Sequence, residues 1–292
     1  MKAAASLLIF TALAAAAQSV PPAIYTDPPV DKAHPAKMTV IHIPTHGLLI
    51  NGVVYQPTGA GPHPTIVICH GLPGNEKNLD LAQALRRAGW NAVTFNYRGS
   101  WGSPGNFRFA QTLEDAKAVL AYLRANAATL GIDTRRIVLA GHSMGGFVVA
   151  HTAAQDHAMG HAIIGAILIS AADMGRQGSD PPKRLLASMA DDMESLNGVT
   201  AESMAAELHD HAEAFRMENA TAGLTQIPLL AITADDGLAP DSTALVSAIA
   251  AKGGHQATVK HFATDHSFSD HRIALESEII NWLAALLKQN QR

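Results

Sequence analysis

The chain has 292 residues, of which 48% are hydrophobic and 16% are charged. This is enough apolar material for a large core and too little charge for a disordered chain. The net charge of −4 and the lack of a Lys/Arg cluster argue against nucleic acid as a partner, because no basic field is present to gather phosphates.

The first residues have the pattern of a secretory signal peptide. Lys2 supplies a positive start, an apolar run extends from about Ala3 to Ala14, and Ala15 and Ala17 form an A-x-A cleavage pattern. The apolar run is shorter than the ~20 residues that a membrane-spanning helix needs. We therefore predict a signal peptide over residues 1–17, export to the periplasm or beyond, and no stable membrane insertion after cleavage.

After a Pro-rich lead-in at 18–37, runs typical of β-strands begin. The first two runs, separated by a His-Gly turn, suit an antiparallel pair at a sheet edge. From residue 65 the strands are short and continuously apolar, which is typical of a parallel sheet that is buried on both faces. The predicted strands are 38–43, 48–55, 65–69, 92–95, 137–140, 163–169, 229–233 and 258–262. The predicted helices between them are 79–88, 113–126, 144–154, 242–251 and 273–288.

This alternation predicts one α/β domain over 38–292, with a mostly parallel central sheet and helices on both faces. One interval, at about 171–226, is far longer than an ordinary connection. It contains two predicted helices, 183–196 and 201–218. We expect this segment, the 171–226 insertion, to form a helical cap over the carboxyl ends of the strands, where open α/β sheets bind ligands.

The strongest motif is Gly141-His142-Ser143-Met144-Gly145, which lies between an apolar strand and a helix. A sharp strand-to-helix turn lifts a serine hydroxyl out of the backbone, and glycines on either side leave room for that turn. The N–H groups at the start of the helix favour the negative charge of a tetrahedral intermediate. Ser143 is therefore the predicted nucleophile.

A second motif, HGLPG at 70–74, directly follows the strand TIVIC. Acyl transfer needs two N–H donors near the developing oxyanion, one from the residue after the nucleophile and one from this loop. We assign these donors to Met144 and Leu72. The predicted supporting residues of the two motifs are His70, Gly71, Gly74, Gly141 and Gly145.

The remaining two functional groups follow the last two strands. Asp235 and Asp236 come after PLLAIT, and we prefer Asp236 because its spacing to Pro240 matches the usual loop into the next helix, whereas Asp235 is suited to capping a turn. Among 15 histidines, His266 is selected because it follows the last strand and completes the order nucleophile, acid, base.

With these motifs the chain resembles the α/β-hydrolase superfamily from about residue 39 to 287. GHSMGG, HGLPGNEKN, FNYRGSWGSPG and TDHSFSDHR carry the resemblance. Within this superfamily the chain is similar to dienelactone-hydrolase-like esterases and to the catalytic domains of prolyl-oligopeptidase-like (S9) and serine-aminopeptidase-like (S33) proteins. The resemblance implies a Ser-His-Asp triad and a two-amide oxyanion hole, but it does not specify a substrate.

We expect a serine hydrolase that cleaves small carboxylic esters through an acyl-enzyme and needs no cofactor or metal. The nearest alternative is a peptidase acting on short peptides, for which Glu202, Glu207 and Glu213 are candidate partners of a substrate ammonium group. A non-catalytic binding protein with the same fold is the remote alternative. For Tyr97 and Trp101 we favour packing beside the site over contact with substrate.

Overall fold

The computed structural model describes residues 20–161 and 163–290. The predicted signal peptide, residues 1–17, lies outside the described residues. Within the described ranges, no helix is both long enough and apolar enough to cross a membrane.

An eight-stranded sheet forms the centre of the described fold, in the order β1-β2-β4-β3-β5-β6-β7-β8. The strands are β1 (Lys37–Thr45), β2 (Leu48–Gln56), β3 (His63–Cys69), β4 (Asn91–Phe95), β5 (Ile132–His142), β6 (Ile163–Ile169), β7 (Leu229–Thr233) and β8 (Ala257–His261). Strand β2 runs antiparallel to both of its neighbours, β1 and β4. The six strands from β4 to β8 in the sheet order run parallel to one another. The predicted mostly parallel sheet with an antiparallel edge pair is confirmed.

Helices cover both faces of this sheet. In chain order they are α1 (Leu79–Arg87), α2 (Phe109–Ala125), α3 (Ala127–Leu130), α4 (Met144–Ala158), α5 (Met174–Gly178), α6 (Pro182–Asp191), α7 (Ala201–Asp210), α8 (Thr221–Leu224), α9 (Ala239–Ala251) and α10 (Arg272–Gln289). Successive strand residues face opposite sides. In β3, Val67 and Cys69 join the core that includes α2 and α4, while Ile66 and Ile68 join the core that includes α1 and α10.

The 171–226 insertion contains α5 to α8, and both of its predicted helices were too long. Helix α6 ends at Asp191 instead of residue 196. The chain then pairs with the loop that follows β4, through a β-bridge between Leu196 and Ser100. Helix α7 ends at Asp210 instead of residue 218, and the chain turns back through a 3-10 helix, Met217–Ala220. Local sequence pattern could not show these tertiary contacts.

Candidate active site

Ser143 occupies the turn between the end of β5 and the start of α4. Its backbone has φ 56° and ψ −124°, a conformation that a non-glycine residue adopts only where its surroundings enforce it. A Cβ at Gly141 would collide with the Gly145 carbonyl, and a Cβ at Gly145 would collide with the Cys69 carbonyl. The turn therefore requires glycine at both positions.

Backbone hydrogen bonds hold this turn on the neighbouring strand. The Ser143 N–H donates to the Ile169 carbonyl at 2.9 Å, and the Ala172 N–H donates to the Ser143 carbonyl at 3.0 Å. Ile169 is the last residue of β6, and Ala172 lies just beyond it. Ser143 is partly exposed.

The predicted acid and base are in direct contact at the same edge of the sheet. His266 Nδ1 lies 2.6 Å from Asp236 Oδ2, and the Asp236 side chain is only 6% exposed. Asp236 also accepts a hydrogen bond from the Leu238 N–H at 3.0 Å. Burial alone would raise the pKa of Asp236, but the hydrogen bonds from His266 and Leu238 outweigh it and lower the pKa to about 2.

The neighbouring aspartate has a different partner. Asp235 is 64% exposed and lies 3.1 Å from His261 Nε2, on the edge strand β8. His271, another nearby histidine, pairs with Asp270 at 2.8 Å. The structure thus brings Asp236, and not its alternative Asp235, to the imidazole of His266.

The loop that carries His266 packs against the turn that carries Ser143. The rings of His142 and His266 lie 4.6 Å apart, and His142 immediately precedes Ser143. Among the hydrogen bonds of the described residues, none joins Ser143 Oγ to His266. Such bonds are often long in enzymes without substrate and tighten when substrate binds.

The HGLPG loop lies directly against the serine. A Cβ at Gly71 would touch the Ser143 side chain, so the loop can approach only because residue 71 is glycine. The Leu72 and Met144 N–H groups donate to no other described residue. The two predicted oxyanion donors are thus free of other partners among the described residues, and each belongs to a residue next to a contact of the serine: Met144 follows Ser143, and Leu72 follows Gly71.

A buried histidine supports this loop. His70 is 3% exposed, and its Nδ1–H donates to the Gly71 carbonyl at 2.8 Å. Burial lowers the pKa of His70 to about 4, so the ring is neutral near pH 7. Gly74 has φ 98°, and a Cβ there would collide with the His70 ring and with the Trp101 indole.

Trp101 connects the HGLPG loop to the 171–226 insertion. Its indole Nε1–H donates to the Pro73 carbonyl at 2.7 Å, and its backbone N–H donates to the Ser195 carbonyl at 3.0 Å. Lys77 Nζ lies 4.0 Å from the centre of the indole ring. The sequence identified Trp101 as a packing residue but did not show that it links these two segments.

Two further residues of the site were missed by sequence reasoning. The ring of His142 is 3% exposed, and its Nε2–H donates to the His266 carbonyl at 2.8 Å. The Ser170 hydroxyl is buried without a partner of ordinary hydrogen-bond geometry among the described residues, and it lies near enough to Asp236 to lower its pKa further. In the sequence, His142 was only the variable position of the serine motif. Ser170 carried no signal at all.

The single cysteine and the glutamates considered for a peptidase lie in the interior or on the surface. Cys69 is 1% exposed, and burial raises the pKa of its thiol to about 12. Glu207 accepts a hydrogen bond from the Ala110 N–H at 2.9 Å, at the start of α2, while Glu202 and Glu213 are exposed. Within residues 20–161 and 163–290, no group of three or more His, Cys, Asp or Glu side chains is arranged to hold a metal ion.

Comparison with known proteins agrees with this architecture. A model of the alpha/beta hydrolase family matches residues 66–276. An uncharacterized protein of Mycobacterium tuberculosis is 29% identical over 129 residues, which are 44% of this chain and 45% of that protein. The quorum-quenching protein AidA of Acinetobacter baumannii is 37% identical over 110 residues, which are 36% of this chain and 35% of that protein. This chain therefore spans less than half the length of these relatives.

A solved structure extends the likeness over most of the fold. The esterase of Pyrobaculum calidifontis has a TM-score of 0.62 and 21% identity, and the match covers 87% of this chain and 88% of that one. At this identity the likeness concerns the fold. Because the family model covers more than half of the sequence, the chain belongs to the alpha/beta hydrolase family.

Proposed function

We propose that this protein is a serine hydrolase that cleaves small carboxylic esters through an acyl-enzyme on Ser143. The observation that carries the proposal is the 2.6 Å contact between His266 Nδ1 and Asp236 Oδ2, beside a serine held in a strained turn. Nucleophile, base and orienting carboxylate form the constellation that activates a serine hydroxyl.

In the first step His266 Nε2 accepts the Ser143 proton while Oγ attacks the ester carbonyl carbon. The electron pair of the carbonyl bond moves to its oxygen, and the Leu72 and Met144 N–H groups stabilise that oxyanion. The intermediate collapses, the ester C–O bond breaks, and the departing alkoxide takes the proton from His266. Water then repeats the sequence, which releases the acid and restores Ser143.

The carboxylate of Asp236 has two functions in this mechanism. With a pKa of about 2 it stays charged at every pH at which the protein is expected to work, so it stabilises the imidazolium that forms on His266. Because a carboxylate can only accept, it also holds the His266 proton on Nδ1 and leaves Nε2 free to take the proton of Ser143.

An ester is the preferred substrate over a short peptide for two reasons. A solved structure with a similar fold, that from Pyrobaculum calidifontis, is an esterase. A peptidase that trims free amino termini needs a carboxylate for the substrate ammonium group, and Glu207 already accepts the Ala110 N–H. The exposed Glu202 and Glu213 provide no enclosed charge.

Labelling with a fluorophosphonate tests the proposed nucleophile. The wild-type protein should be labelled, Ser143→Ala should not, and the control variant Ser267→Ala, which changes a serine next to His266, should be labelled at the wild-type rate. Labelling of Ser143→Ala as fast as wild type would contradict the proposal. A panel of nitrophenyl esters and aminoacyl amides then separates the two substrate classes, and amide turnover comparable with ester turnover would favour the peptidase.

We also propose that the protein is exported after cleavage of residues 1–17. The support is the order of a positive start, an apolar run and small residues at the cleavage point. Expression of the whole chain followed by mass measurement of the extracytoplasmic fraction tests this. A product that stays in the cytoplasm with residues 1–17 attached would refute it.

A further inference from the structure

We infer that His142 is a positioning residue, which holds the backbone and ring of His266 in place relative to Ser143. The inference deepens the proposed function and rests on it, since it concerns the same base. Two contacts between His142 and His266 support the inference, one hydrogen bond and one contact between the rings.

The hydrogen bond joins a side chain on the serine turn to the main chain of the base. His142 Nε2 lies 2.8 Å from the His266 carbonyl oxygen, and a carbonyl oxygen can only accept, so Nε2 carries the proton. The same ring lies 4.6 Å from the His266 ring with 41° between their planes. His142 therefore contacts both ends of His266, its carbonyl and its imidazole.

The rigidity of the serine turn makes this contact effective. Ser143 is fixed to the end of β6 by two backbone hydrogen bonds, to the Ile169 carbonyl and from the Ala172 N–H. His142 is its direct neighbour, is the last residue of β5 and is 3% exposed, so its ring has little freedom. His266 lies on a loop and its side chain is 39% exposed, so its position depends on its contacts with Asp236 and with His142.

The charge state of His142 agrees with this role. Burial, and then the positive charge that His266 can carry, lower the pKa of His142 to about 4. The other charged groups that face it are Arg272, which also lowers the pKa, and Asp236, which raises it. Above that pH the ring is neutral, and it donates its hydrogen bond without repelling a proton on His266.

Three substitutions separate the hydrogen bond from the ring. His142→Gln places an amide N–H the same number of bonds from the backbone as Nε2, so it keeps the donor and should retain activity within about threefold of wild type. His142→Phe keeps a ring and loses the donor, and kcat should fall about 10- to 100-fold with KM nearly unchanged, because a shift of about 1 Å in a reacting group costs up to 10²-fold. His142→Asn has a shorter side chain that cannot reach the carbonyl, so its kcat should fall as in the Phe variant. It keeps the test decisive if the larger Phe ring impairs folding of the Phe variant.

A second measurement does not depend on activity. The His266 Nδ1–H proton, hydrogen-bonded to Asp236, should exchange with water faster in the Phe and Asn variants than in wild type or the Gln variant, as followed by proton NMR. A purely structural role would lower the midpoint of urea unfolding in all three variants, without a difference in proton exchange between the Gln variant and the other two. Equal exchange rates in wild type and in the folded Phe and Asn variants would overturn the inference.

The two proposals fail in different ways. If wild type shows neither labelling nor ester turnover, the proposed function fails, while the NMR comparison still decides whether His142 positions His266. If wild type is active and the folded Phe and Asn variants keep kcat within twofold, the inference fails and the proposed function stands.

Discussion

Asp236 and its neighbour Asp235 provide a matched pair for testing which carboxylate serves His266. Both are aspartates that follow β7, but Asp236 is 6% exposed and contacts His266, whereas Asp235 is 64% exposed and contacts His261. The same substitution, to asparagine, removes one negative charge with almost no change in volume at either position. A difference in activity between the two variants therefore reports the contact with His266.

The expected loss follows from the electrostatics of Asp236. The difference between the ordinary aspartate pKa of 3.8 and a pKa of about 2 corresponds to about 2 kcal/mol of net stabilisation of the carboxylate by its surroundings. Loss of a similar amount from the imidazolium in the transition state would lower kcat about 30-fold. An asparagine can also donate to Nδ1 and so stabilise the wrong tautomer of His266, an effect that in serine proteases brings the loss to about 10⁴-fold.

The assay is kcat for a nitrophenyl ester near neutral pH, with folding of each variant checked by circular dichroism. Asp236→Asn should lose between about 30-fold and 10⁴-fold. Asp235→Asn should stay within about threefold of wild type, since an exposed pair contributes little. Equal losses in the two variants, or a larger loss at Asp235, would refute the assignment.

Two further predictions concern the surroundings of the site. Trp101→Phe removes the 2.7 Å hydrogen bond to Pro73 and should lower the free energy of unfolding by about 1 kcal/mol and kcat about tenfold. The control Trp282→Phe changes an indole on α10 that lies beside Gly165, near the start of β6, and should leave kcat unchanged. An equal kcat loss in both variants would contradict the link. Burial and the Asp80 carboxylate raise the pKa of Glu276 to about 7, so the folded chain keeps a proton there that the unfolded chain has lost. The free energy of unfolding should therefore fall from about pH 5 to about pH 8. Urea unfolding of Glu276→Gln should show a free energy of unfolding that depends less on pH over this range.

The inner strands of the parallel sheet could be predicted because β3, β6 and β7 are buried on both faces, whereas the edge strand β8 is mostly exposed. In TIVIC, Val67 and Ile68 face opposite cores, so most positions of the strand are apolar and the run is visible in the sequence. The same reasoning placed the serine and aspartate motifs, since each follows such a run and the carboxyl ends of parallel strands meet at one edge. The histidine motif follows the exposed edge strand β8, and its place after the last strand selected it.

The insertion could not be predicted as well, because its shape depends on contacts with distant residues. Apolar residues continue past Asp191, and the pattern predicts a longer helix there. The chain instead leaves the helix so that the Asn197 N–H can donate to the Gly99 carbonyl at 2.7 Å and the Ser195 carbonyl can accept from Trp101. Nothing local to residues 192–198 specifies partners that lie about a hundred positions earlier.

The neutrality of His142 bears directly on the strength of the His266–Asp236 pair. If both imidazoles were charged at their ring separation of 4.6 Å, their repulsion would be about 4 kcal/mol at an effective dielectric constant of about 20. A charged ring at position 142 would therefore oppose proton transfer to His266. Because burial keeps His142 uncharged above about pH 4, the ring can support the base without reducing its affinity for the serine proton.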